Sequence, residues 1–231
     1  MRKRTLTFGL GGLTLGSLLL LAAPWSVTAT ALPGAGTNAR RYEITVTNVT
    51  KGQVFAPVVA VTHGDQFRLF ELGEAVSPGL AHLAEEGDPS MVILASESDG
   101  GTLLARTNGV MTMPGASSSV LIAVDDDNPY ISIASMLVST NDGFIALRDV
   151  PAPPVETTYL ARVYDAGSEF NSEDCSFVPG PPCGSGGSHD PTPAEGYVRI
   201  HEGVHGIGGL APQDFDWRGE AAEVTIRPLN P

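Results

Sequence analysis

Apolar and polar residues alternate along Tyr42-Glu43-Ile44-Thr45-Val46-Thr47. That is the period of a strand with one face in a core and the other in water. Val58-Val59-Ala60-Val61 is a continuous apolar run and reads as a second strand. Seven further short, β-branched segments follow: Val110 to Met113, Val120 to Val124, Ile131 to Val138, Gly143 to Leu147, Tyr159 to Tyr164, Tyr197 to His201 and Val224 to Arg227. Gly, Pro, Asn and Asp separate them. Between the second and third strands the period changes. Ser77-Pro78, then Leu80, Leu83 and Ala84, then Gly87, spells a short helix with Ser as N-cap, Pro in the first turn and Gly as the stop. Asp88-Pro89 opens a second short helical stretch through Leu94. The pattern predicts an all-β fold, an antiparallel β-sandwich with one or two short helices in its connections. With 27 Gly and 18 Pro, long helices have little room.

Upstream of the first strand, Arg2, Lys3 and Arg4 precede an apolar stretch from Leu6 to Ala23, and Val27-Thr28-Ala29 offers small residues for cleavage. Residues 1–29 are expected to be a secretory signal peptide and 30–40 a flexible spacer, with a folded domain over 41–229. The mature protein is then secreted, periplasmic or on the cell surface, with no membrane insertion. Removing the three basic residues of the leader takes the formal charge from -13 to -16, and Lys51 is the one lysine left. Such a surface repels phosphate backbones, so nucleic acid is excluded as a partner class. Two cysteines in an exported chain favour a disulfide, Cys175 to Cys183, closing a turn-rich loop inside the Gly-, Pro- and Ser-rich stretch Asn171 to Glu195.

Three constellations could carry chemistry. His201-Glu202-Gly203-Val204-His205 matches HExxH, which serves a zinc hydrolase only where both histidines sit one helical turn apart. Here a strand pattern precedes it and Gly203, Gly206, Gly208 and Gly209 break any helix, so the segment reads as a strand ending in a turn. Asp125-Asp126-Asp127-Asn128 reads as a solvated turn. The third is quieter. Ser139-Thr140-Asn141-Asp142-Gly143 and Asp165-Ala166-Gly167-Ser168-Glu169 each follow a strand and each present carboxylates. Calcium takes six to eight oxygens from loops that can wrap around it. Acids in turns also satisfy turn backbone groups, so spacing alone leaves both readings open. No complete nucleophile–base set, P-loop or dinucleotide fingerprint is present.

The segments Ile131 to Phe144, Tyr164 to Glu173, and Val198 to Leu210 followed by Asp216-Trp217-Arg218 resemble, in order, three motifs of bacterial spondin domains. The likeness runs from about Arg41 to Pro228. It implies an eight-stranded antiparallel sandwich similar to C2 domains, with calcium bound at one end. It also implies ligands from the loop of Asn141 and Asp142 and from Asp165 and Glu169. At Glu169 animal members often have Asp, which shifts the geometry. Animal members act in the extracellular matrix in cell adhesion.

The resulting expectation is an exported, non-catalytic, monomeric calcium-binding module for adhesion, meeting a protein or glycan at the cell surface. The alternatives are an exported zinc hydrolase using His201, Glu202 and His205, and a structural envelope protein without metal.

Overall fold

The structure, a computed structural model, describes residues 39–229. The expected leader and residues 30–38 of the spacer lie outside the described residues. The chain begins with β1 (Arg40–Asn48) and β2 (Val59–His63), passes through α1 (Pro78–Glu86) and α2 (Ser90–Ser98), and continues with β3 (Thr102–Thr107), β4 (Ser117–Val124), β5 (Tyr130–Met136), β6 (Gly143–Pro151) and β7 (Thr157–Asp165). After a long irregular stretch come β8 (Arg199–Ile200), α3 (Pro212–Phe215) and β9 (Glu220–Pro228). The strands form one antiparallel sheet in the order β3-β2-β5-β6-β7-β9-β1-β4, with the two-residue β8 added on β7.

The sheet folds over so that its inner face packs on itself, and it is nearly closed. The Asn108 amide donates to Ser118 Oγ at 2.8 Å, and the Thr112 and Ser118 hydroxyls meet at 2.6 Å, which ties the two ends of the strand order together. Ile44, Val46, Ile122, Ile133, Ile145, Val163, Val224 and Ile226 fill the interior. Each such side chain contributes roughly 2 kcal/mol through the apolar area it removes from water.

The hydrophobic pattern follows from which faces are covered. β1 has only its inner face buried and alternates accordingly. β2 is buried at every residue, because α1 and α2 cover its outer face through Leu80, Leu83, Ala84 and Val92 packed on Val59, Val61 and Ala134. α1 has the ends its residues predict. Ser77 Oγ accepts from the Leu80 N–H, Pro78 sits in the first turn, and Gly87 closes the helix in the left-handed conformation at φ +70°.

The all-β expectation holds, with four corrections of detail. Nine strands are present among the described residues, not the eight that the resemblance implies. Thr102–Thr107 forms β3, although Thr-Leu-Leu-Ala-Arg-Thr has no clean alternation, because it sits at the end of the strand order against β2. Val110 to Met113 is not a strand. Only Thr112 makes a bridge, to Phe55, while Val110, Met111 and Met113 are exposed. Helices number three rather than one or two among the described residues, the third being the four-residue α3. No helix of the described residues is long and apolar enough to cross a membrane.

Candidate functional site

Strand register brings Asp142 and Asp165 to one end of the sheet. β6 and β7 are antiparallel neighbours with Gly143 opposite Asp165. Asp142, one residue before β6, therefore lies beside the last residue of β7, and its carbonyl accepts from the Ala166 N–H at 3.2 Å. The turn carrying Asp142 is fixed by Thr140. The Thr140 hydroxyl donates to the Leu137 carbonyl at 2.6 Å, and its oxygen accepts from the Gly143 N–H at 2.9 Å.

The opposite turn is fixed by Gly167. It holds φ +65°, and a Cβ there would lie 2.2 Å from the Tyr197 carbonyl oxygen, so only glycine fits. With the turn so folded, Asp165 Oδ1 accepts from the Gly167 N–H at 2.7 Å. Asp142 Oδ2 reaches across to accept from the Ser168 and Glu169 N–H groups at 2.8 and 3.0 Å.

The carboxylates of this end are deeply enclosed. Asp142 and Asp165 are fully buried and Glu169 is 3% exposed. Asp142 Oδ1 is buried with no hydrogen-bond partner. Burial, and then the charge of Asp165, pushes the Asp142 carboxyl well above the usual carboxylate range. Burial also raises Asp165, opposed by Arg199. Glu169 is pushed up to about 7 by burial, opposed by the Asp190 N–H that donates to its Oε1.

Asn141 faces another way in its bonding. Its Oδ1 accepts from the Glu173 N–H at 3.2 Å, which leaves Nδ2 as a buried donor without a partner. Among the described residues no group of three His, Cys, Asp or Glu side chains is arranged to hold a metal ion.

Three residues outside the expected set organise the region. Arg199, opposite Asp165 in the β7–β8 pairing, places its guanidinium 2.9 Å from Asp165, 2.8 Å from Glu195 and 3.1 Å from Glu202. Glu195 takes part with one oxygen and leaves Oε2 buried and unpartnered. Glu173 accepts from the backbone N–H groups of His205, Gly206 and Ile207. Their spacing gives a partial signal. Arg199 is a lone cation four residues after one glutamate and three before another in an acidic chain. Nothing in the sequence around Glu173 marks its role.

The HExxH match is not on a helix. After β8 the chain from His201 to His205 is irregular, with Gly203 at φ +98°. His201 Nδ1 accepts from the Gly203 N–H at 3.0 Å, so the ring proton is on Nε2. The ring stands edge-on to Trp217 with centroids 5.0 Å apart, and burial lowers its pKa to about 3. Glu202 and His205 are exposed. The condition for the zinc reading, two histidines on one helical face, is not met.

The expected disulfide is present between Cys175 and Cys183. Its loop packs with Val178, Val204 and Leu210 into a small core of its own. The acidic run is a turn, with Asp125 Oδ1 accepting from the Asn128 backbone and side-chain N–H groups and Asp126 and Asp127 exposed.

The profile of the Spondin_N family matches residues 42–161, from β1 into β7. The matched span takes in Asn141 and Asp142 and ends before Asp165, Glu169 and Arg199. Comparison with curated proteins finds no match. A disulfide and a domain of this kind both suit an extracellular protein. With a nearly closed antiparallel sheet and a match over more than half of its 231 residues, the chain belongs to the Spondin_N family, a family of non-catalytic interaction domains.

Proposed function

We propose that this is an exported, monomeric, non-catalytic interaction module whose loop end holds a calcium ion and meets a protein or glycan at the cell surface. The observation that carries the reading is the buried, unpartnered Oδ1 of Asp142 beside the buried carboxylate of Asp165. Two carboxylates withdrawn from water, with the charge of Asp165 adding to the burden on Asp142, are costly to ionise, and a divalent cation removes that cost. Asp142 and Asp165 would hold the ion, with the second lone pair of Asn141 Oδ1 as a neutral oxygen, and Glu169 would join as a third acidic arm on turning away from the Asp190 N–H that it now accepts from. All are hard oxygen donors, the chemistry calcium takes, and carbonyls and water complete such shells. When bound, the ion neutralises the acids and ties the β5–β6 turn to the β7–β8 loop, which fixes the surface those loops present.

Calorimetric titration of calcium into the chelator-treated protein tests this, with Asp165→Ala alongside. Heat and saturation in the wild type, absent in the variant, are expected. No heat in either ends the cation claim, and a melting curve indifferent to chelator would then favour a structural protein with no ion.

A further inference from the structure

Next to the proposed cation end lies a cavity of about 190 Å³ whose lining includes Asn141, Phe170, Glu195, Arg199, His201 and Ile207. That is room for several waters or for a single sugar ring. Four of the side chains that line it carry a buried polar atom with no partner: Asn141 Nδ2, Arg199 Nε, His201 Nε2 and Glu195 Oε2. Asn141 is 2% exposed. Native proteins rarely leave one such atom unmet, and four on the walls of one cavity, each closed to water as the side chains stand, point to a ligand that draws them inward by small side-chain turns.

Their chemistry narrows the choice. Asn141 Nδ2 and Arg199 Nε are donors. His201 Nε2 is a donor because Nδ1 already accepts from Gly203. Glu195 Oε2 is an acceptor. An anion could use the donors but not the acceptor. It would also enter a negative field, since the one guanidinium is already shared by Asp165, Glu195 and Glu202. A cation would leave three donors unmet. A hydroxyl donates and accepts at once, and several on one small frame serve all four atoms. The wall also has an apolar part in Phe170, 38% exposed, and Ile207, 66% exposed, which suits the C–H face of a sugar.

We propose that this cavity is a binding site for a neutral saccharide ring, held through vicinal hydroxyls by Asn141, Arg199, His201 and Glu195. The site adjoins the cation end, where Asn141 would offer its oxygen to the ion and its nitrogen to the sugar, and it does not require the ion.

The test is saturation-transfer NMR on the intact protein in chelator. The probes are methyl mannoside, methyl galactoside and N-acetylglucosamine, each up to about 50 mM, with acetate as the anionic control. At least one sugar is expected to bind with Kd on the order of 1 mM, as few contacts on a small ligand allow. Glu195→Gln turns the acceptor into a donor and keeps the shape. Phe170→Ala trims an exposed wall residue, so loss of folding is not at issue. Each is expected to weaken binding at least about fivefold, the size of one hydrogen bond or apolar contact. The proposal is overturned if no sugar binds, which would leave the cavity to water. It is equally overturned if acetate binds as well as the sugar, or if both variants bind like the wild type. Sugar binding seen only with calcium present would make the ion the receptor and also overturn it. A calcium titration without heat leaves the sugar result untouched, so the two readings fail separately.

Discussion

The chain has two concentrations of aspartate, and they behave in opposite ways. Asp125, Asp126 and Asp127 are adjacent in sequence, yet they sit on a turn where Asp125 caps Asn128 and the other two face water. Asp142 and Asp165 are far apart in sequence, yet strand register sets them side by side, buried, with one oxygen unmet. Adjacent charges in water cost little, because each can turn outward. Charges brought together by a sheet cannot. The density of acids along a sequence is therefore a poor guide to where a cation is needed, and the pairing of strand ends is a better one.

The largest effect should come from breaking the turn that builds the buried pair. Gly167→Ala adds a left-handed penalty and a clash with the Tyr197 backbone, and should lower stability by about 3 kcal/mol or more in a urea melt. Arg199→Met should follow. Removing the partner of a buried carboxylate typically costs 3–5 kcal/mol. With the arginine side chain 19% exposed, about 2 kcal/mol is expected in chelator, and calcium should recover part of it.

Next in size is a pH dependence. In the metal-free protein the buried acids hold their protons above the pH at which the unfolded chain has released them, near 4. The folded state then binds more protons, so stability is greatest at low pH and declines as pH rises through the raised values, about 7 for Glu169. Melting temperature in chelator should fall between about pH 5 and 8, and calcium should flatten that slope. The smallest effects sharpen the comparison itself. Asp142→Asn should stabilise the chelated protein by about 1 kcal/mol near pH 8 and abolish its response to calcium, whereas Asp126→Asn should change stability by less than about 0.5 kcal/mol and leave that response intact.

Much of the fold was legible because its signals are local. Ser77, Pro78 and Gly87 mark α1 by capping chemistry, and the alternation in β1 reports a single covered face. β3 was not legible, since its burial comes from β2 and its neighbours rather than from its own pattern. Met111 and Met113 misled for the converse reason, being apolar yet exposed. At the site, the loops of Asp142 and Asp165 could be named from their strand-end positions and from family likeness. The roles of Arg199, Glu195 and Glu173 depend on a two-residue strand and on a loop folded against its neighbour, so spacing gives a partial signal for the first two and nothing local marks Glu173.

The account rests most directly on what sits against Asp142 Oδ1. A crystal structure of the protein grown with calcium at pH 8 would answer it. The account predicts an ion about 2.3–2.6 Å from Asp142 Oδ1 and from an oxygen of Asp165. A water, or a protonated carboxyl with no ion near either residue, would contradict it.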